Sequence, residues 1–591
     1  MFKCKQLLRR ICVVSYVFLL CGGLVNASNL VSKTNTLIGT QGNGWASGYL
    51  YPGATYPFGM VQFTPTYFTK QLGFVINQLS GAGCDHMGNF PTLPIAGALR
   101  VSPDSILNMQ TPVGKEIGTA GYYAATVDHS IRAELTVTER TGMARYTFSS
   151  KEKQGTVIIG GGVAATPIQV AAIKITGPHS CEGYAEGGAF CGIPTPYKVY
   201  FVAEFDADAE SFGTWKEERL HANHTFAEGS HSGVYFTFPL KEGNQAVQYK
   251  IGVSYVSVEN ARENLRVENP AWDFSAVRQA TQDKWNEYLG KIEVEGDNED
   301  RQMQFYTHLY RSLIHPNVCS DVNGEYMGAD SQVHKTARKF YTSFSNWDTY
   351  RTQTALIAML APEETSDIVM SHYLFAEQSG GGFPRWVLAN IETGVMQGDP
   401  TPILVANAYA FGARTYDPRT LLRTMRYGAE VPGANSQGVL TRPGLEQYLE
   451  KGYYDASILL EYTSSDFAIG RFALQACNDE PVCNWYTQRA MNWKNLFNKE
   501  TGWLQSRNED GSWKRYDADW RESTYKNYFW MVPYDLQGLI DSIGGKEAAE
   551  KRLDEMFRRL DASYGDEWFA SGNEPSFQIP WIYNWAGAPY K

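Results

Sequence analysis

The spacing of apolar residues changes once along this chain, near residue 270, and that change constrains the fold more than any other feature. Before it the period is two. Ile131, Ala133, Leu135 and Val137 alternate with polar neighbours. Val234, Phe236, Phe238 and Leu240 do the same, as do Val247, Tyr249, Ile251, Val253 and Tyr255. Such alternation buries one face of an antiparallel sheet. Tyr51-Pro-Gly53 and Gly160-Gly-Gly162 punctuate the strands with turns. The expectation is an N-terminal antiparallel β-sandwich over residues 28–265.

Beyond residue 270 the period becomes helical. Phe274, Val277, Thr281, Trp285 and Tyr288 fall on one helical face, and Gly290 can end that helix. Met303, Tyr306, Tyr310 and Leu313 repeat the spacing. Further helices are expected near 351–361, 403–412, 455–476, 482–498 and 546–560, with Gly- and Pro-rich loops such as Ser379-Gly-Gly-Gly-Phe-Pro384 between them. The chain therefore reads as α+β and multidomain: a sandwich, a helical linker over 266–300 and a mainly helical domain over 301–591.

Residues 1–27 carry the marks of a cleaved signal peptide. Lys3, Lys5, Arg9 and Arg10 precede an apolar run from Ile11 to Val25, and Val25-Asn-Ala27 is a small-residue cleavage site. That run is short for a membrane span, and no later stretch is long and apolar enough for one. Leu20 is larger than a lipoprotein site at Cys21 prefers. These features predict a secreted or periplasmic bacterial protein with no membrane span after cleavage. Losing four basic residues and no acid takes the net charge from −11 to −15, which argues against nucleic acid as a partner. Hydrophobic residues at 43% against 19% charged argue against disorder. In an oxidising compartment Cys181 could pair with Cys191 and Cys477 with Cys483, being close in sequence, or each could stay a buried thiol.

The sequence has no phosphate-binding P-loop, no His-Glu-x-x-His and no Gly-x-Ser-x-Gly. Asp321-Val-Asn-Gly-Glu-Tyr326 has its glycine in the wrong place for a calcium loop and reads as a turn. What remains is carboxylates beside aromatics. Ser345-Asn-Trp-Asp-Thr-Tyr-Arg351 groups Trp347, Asp348 and Arg351; Trp520-Arg-Glu-Ser-Thr-Tyr525 sets Glu522 among rings; Gly572-Asn-Glu-Pro-Ser576 is a polar turn before an aromatic run. Sugars need carboxylates and amides for their hydroxyls and flat rings for their C–H faces. Hydrolysing a glycoside needs an acid and a base. The plainer readings are a structural Asp348–Arg351 salt bridge and a solvated helix end at Glu522.

Taken in order, the motifs carry more than a class. Ile38-Gly-Thr40, Tyr51-Pro-Gly-Ala-Thr-Tyr-Pro-Phe-Gly-Met-Val61, Ser80-Gly-Ala-Gly-Cys84, Trp347-Asp-Thr-Tyr-Arg351, Leu460-Glu-Tyr462 with Asp466, Val532-Pro-Tyr-Asp535 and Gly572-Asn-Glu-Pro-Ser576 run along nearly the whole mature chain. With them the chain resembles glycoside hydrolase family 92, the calcium-dependent, exo-acting α-mannosidases. The resemblance implies a β-sandwich, a helical linker and a C-terminal (α/α)6 barrel, with a site between the two domains. It implies an inverting displacement that takes terminal mannose from N-glycans or mannans, so the partners are mannose-containing glycans. Glu522 matches the general acid. Trp347, Asp348 and Arg351 match the motif around the terminal sugar. Asn573 and Glu574 match the turn that belongs to the calcium site.

Two departures touch the calcium shell: Phe577 and Gln578 stand where the family has two histidines, and Trp568 or its neighbours replace a glutamine. A third concerns the base. The resemblance places it on a Gly-Asn-Asp/Glu-Asp segment that lies beyond the position of Lys591 and is found nowhere in these 591 residues. The barrel is then expected to be incomplete, and the chain poorly stable and inactive or nearly so. The alternative to an enzyme is a mannose-binding remnant without turnover.

Overall fold

The computed structural model describes residues 29–40, 49–66, 73–104, 113–242 and 245–591. The expected signal peptide and Cys21 lie outside them. Two antiparallel sheets, one of eight strands and one of nine, make up the N-terminal part. The strict alternation in Ile131–Val137 puts Ile131, Ala133, Leu135 and Val137 inside, while Arg132 and Glu134 face out. This strand pairs Leu135 with Ala144 in the nine-stranded sheet. Ser232–Pro239 lies in the other sheet and turns Val234, Phe236 and Phe238 inward. The two inner faces meet at Phe205, whose ring lies 5.0 Å from Phe236 and 4.9 Å from Phe238. The sandwich expected from the sequence is present.

Helices cover the outer face of the nine-stranded sheet. Val258–Glu268 packs on Ala246–Ser254, so closely that a Cβ at Gly252 would meet the Ala261 carbonyl at 2.3 Å. This helix starts before the change of period near residue 270, because Val258, Ala261 and Leu265 supply too few apolar positions to stand out. Phe274–Leu289 follows, capped by Asp273. Trp285 is fully buried on it and donates its indole N–H to the Thr55 carbonyl at 2.7 Å. The turn after Asp321 has a structural use. Its buried carboxylate accepts from Ser254 (2.7 Å), Asn260 (2.9 Å) and Asn264 (2.6 Å), tying strand end to helix.

The C-terminal part is helical. Pro362–Ser379 and Pro418–Glu430 join the helices expected from periodicity. The first is buried on several sides, so its apolar residues form no single stripe. The centre is Ala456–Cys477, buried on nearly every face. Asp466 on this helix accepts from Arg442 (2.7 Å), from Arg489 (2.5 and 2.7 Å) and from the Tyr448 hydroxyl (2.6 Å), all in the interior. Among the described residues no helix is long and apolar enough to cross a membrane.

Of the two readings left open for the cysteines, the pairs Cys181–Cys191 and Cys477–Cys483 do not form. The one disulfide among the described residues joins Cys84 to Cys191, with Cα atoms 5.1 Å apart. Cys181 cannot reach Cys191, because the extended strand Ser180–Phe190 separates them and holds them about 30 Å apart. Cys181, Cys319, Cys477 and Cys483 are free thiols.

Candidate active site

A cleft of about 550 Å³ lies where the sandwich meets the helical domain. Leu79–Ala82 line it from the sandwich side. Arg311, His315, Asp348, Trp386 and Glu574 line it from the other. A pocket of this size between domains is where a small ligand is ordinarily held.

Asp348 stands on a short buried helix, Asn346–Thr349. Asn346 fixes that helix by donating to the Pro384 carbonyl (3.1 Å) and the Thr401 hydroxyl (2.9 Å). Its neighbours turn away from the cleft. The Trp347 indole N–H, the Tyr350 hydroxyl and the Arg351 guanidinium all donate to the Glu461 carboxylate, at 3.0, 3.0 and 2.9 Å. Glu461 is completely buried on the central helix. Trp347 and Arg351 therefore brace the wall from behind, and Asp348 alone of the three motif residues lines the cleft. Burial works against the Arg351 charge, but Tyr350 and Glu461 more than offset it and its pKa rises. Removing Glu461 leaves that guanidinium buried and uncompensated. Glu461→Ala is expected to destabilise the protein by about 3–5 kcal/mol, read as a lower urea midpoint.

Glu522 sits in the loop before Tyr525–Tyr528, with a left-handed φ of +48°. Such a backbone is costly for a residue with a Cβ and persists where its surroundings enforce it. Here the buried Asn573 side chain donates to the Glu522 carbonyl. Glu574 opens a short 3-10 turn, Glu574–Ser576, anchored by the Ser576 hydroxyl on Asn527 at 2.9 Å. The structure thus brings Asp348, Glu522 and Glu574 within electrostatic reach of one another. Burial raises the pKa of all three. Glu574 and then Glu522 push Asp348 further up, against Arg351 and a hydrogen bond from Trp386. Glu522 also raises Glu574, while Arg521 and Asn573 partly hold Glu522 down. Paired titratable groups forced apart from their ordinary values in a cleft mark a site for proton chemistry.

Sequence reasoning missed Trp386, and it quoted Glu461 and Ser80–Ala82 as motif residues without giving them a place at the site. Glu461 meets its partners across more than a hundred residues, so no local pattern could assign it. Among the described residues no three His, Cys, Asp or Glu side chains lie close enough together to hold a metal.

Two family models match this chain. The glycosyl hydrolase family 92 catalytic domain matches residues 260–591, and the N-terminal domain of the same family matches 34–254. An uncharacterized secreted glycosidase of Arthroderma benhamiae is 25% identical, over 95% of this chain and 77% of its own length. A family GH92 alpha-mannosidase from Bacteroides thetaiotaomicron, solved also with mannoimidazole, superposes with a TM-score of 0.86 at 25% identity, over 95% of this chain and 79% of that one. A family GH92 inverting mannosidase from the same organism gives 0.83 at 25% identity, over 94% and 80%.

Proposed function

Because the chain belongs to glycoside hydrolase family 92, we propose that it is an exported, inverting exo-α-mannosidase acting on terminal mannose of N-glycans or mannans, with calcium at its site. The observation that carries this reading is that Asp348 and Glu574 line one cleft between the domains, with Glu522 close enough to raise the pKa of both. Solved relatives described as mannosidases support the substrate class, and one described as inverting supports the stereochemistry.

In this reading Glu522 is the general acid. Its raised pKa keeps the carboxyl protonated above the ordinary carboxylate range, so it can hand its proton to the departing oxygen. Asp348 accepts hydrogen bonds from the hydroxyls of the terminal sugar. Trp347 and Arg351 hold Asp348 in place through Glu461. Asn573 keeps the strained Glu522 backbone from relaxing. An inverting reaction also needs a carboxylate to activate water.

The residues present suit calcium by charge and by donor type. Glu574, Asp348 and the amide of Asn573 offer hard oxygen donors, and the two carboxylates lie close enough for Glu574 to raise the pKa of Asp348. They would make part of the shell, with backbone, water and sugar oxygens completing it. A bound calcium ion would neutralise the carboxylates and hold sugar hydroxyls. The sign of the pH effect follows from the raised carboxylates. Across the window between their ordinary and raised pKa values the native state keeps protons that the unfolded chain has lost, so stability falls as pH rises. Calcium should offset this loss. Its stabilisation is expected to grow with pH across that window, reaching about 2.7 kcal/mol at a hundredfold excess over Kd. Scanning calorimetry with and without chelator reads it, and a melting temperature indifferent to calcium at every pH would sink the assignment.

A further inference from the structure

Three fastenings converge on Leu79–Cys84, the sandwich-side wall of the cleft. The Leu79 N–H donates to His86 Nε2 at 2.8 Å, and the Ser80 N–H donates to His315 Nε2 at 2.9 Å. Each Nε2 is therefore an unprotonated acceptor. The Nδ1 protons go to the Cys84 carbonyl (2.6 Å) and to Asn317 Oδ1 (2.7 Å). Burial lowers both imidazoles to a pKa of about 4, so they stay neutral and keep accepting. The third fastening is the bond from Cys84 to Cys191.

The far end of that bond also reaches the cleft. Cys191 and Gly192 form the two-residue turn between Ser180–Phe190 and Ile193–Phe205, with φ of +51° and +79°. Two left-handed residues in sequence are what a tight hairpin with this twist requires. Phe190, next to Cys191, stacks on Trp386 with ring centroids 4.2 Å apart at 28°. Trp386 lines the cleft and hydrogen bonds to Asp348. Cys191 is exposed and Cys84 half-buried, so a reductant can reach the bond.

We propose that the Cys84–Cys191 disulfide is a positioning element for the cleft. It joins the wall at Leu79–Cys84 to the hairpin tip at Phe190, holds both against Trp386, and so sets how tightly the cleft takes its sugar. The acid at Glu522 lies outside this unit and keeps its geometry when the bond is cut. The inference rests on the reading of the cleft as the sugar site. Dithiothreitol breaks the one S–S bond and forms two thiols. It supplies the two electrons and two protons and closes into its own cyclic disulfide.

The test compares oxidised protein, protein kept in dithiothreitol, and the C84S/C191S double variant, all as the full chain. Kinetics on an α-mannoside and hydrogen exchange of the peptide containing Leu79 and Ser80 are measured together. KM should rise about tenfold, the cost of ordering roughly one backbone residue on binding, with kcat within about twofold. Exchange should speed up in that peptide and in the 185–193 hairpin, and the double variant should match the reduced protein without reductant. An unchanged KM, a loss confined to kcat, or faster exchange spread over both domains would overturn the proposal. If the oxidised protein turns over no α-mannoside, that result bears on the proposed activity and not on the clamp. Exchange then decides alone, and amides that stay protected after reduction would overturn the clamp.

Discussion

Replacing Glu522 with glutamine lowers kcat on an alkyl α-mannoside by about 10²–10⁴-fold, the usual contribution of a positioned proton donor. Glutamine keeps the shape and a hydrogen-bonding N–H but has no proton to give. KM should change little on the proposal that Asp348 and its surroundings grip the sugar. The loss should shrink on aryl mannosides, whose leaving oxygen needs little help. The pH profile gives the more specific reading. The raised pKa of Glu522 means that the native rate falls as pH climbs through that raised value, and the glutamine variant should lack this alkaline limb. A variant within about tenfold of the native rate on the alkyl substrate would remove Glu522 from the acid role.

The second large effect is on stability. Asp466→Ala leaves Arg489 buried without its counter-charge and Arg442 with Asp399 alone. Breaking a buried pair from one side costs about 3–5 kcal/mol, and a typical domain has only about 5–15 to lose. The urea midpoint should fall accordingly, and Asp466→Asn should lose nearly as much, since it keeps the shape and drops the charge. Burial opposes the Asp466 charge, but Arg489 and Arg442 outweigh it and its pKa is depressed. Its stabilisation is therefore complete above the ordinary carboxylate range and is lost as pH falls through the depressed value. This is the reverse of the cleft carboxylates, so the two sets should give opposite slopes of stability against pH. An unchanged midpoint in Asp466→Ala would show that the two arginines find other partners.

Much of the fold was legible because period alone decides which face is buried. Ile131–Val137 and Phe274–Leu289 lie as their spacing requires. Val258–Glu268 was hidden by its few apolar positions, and Pro362–Ser379 by burial on several sides. Nearness in sequence could not settle the partner of Cys191, since a strand carries its ends apart while a hairpin turn brings distant loops together. At the site, the motifs around Asp348, Glu522 and Glu574 were visible as carboxylates among rings, but their roles came only with the resemblance. Trp347 and Arg351 stand in the same motif as Asp348, yet the short helix Asn346–Thr349 and the turn after it send them to Glu461 instead. Glu461 stands in a motif the sequence shows, but that it is their partner is legible only in three dimensions.

Glu461 and Asp466 ride on one rod, Ala456–Cys477, about 7–8 Å apart along its axis. The same rigid piece therefore braces the catalytic wall and locks the interior of its domain. The wall at Asp348 is thereby fastened to the frame of its domain without an intervening loop. Gradual heating should leave activity intact until the domain itself melts, so that inactivation and unfolding follow a single curve.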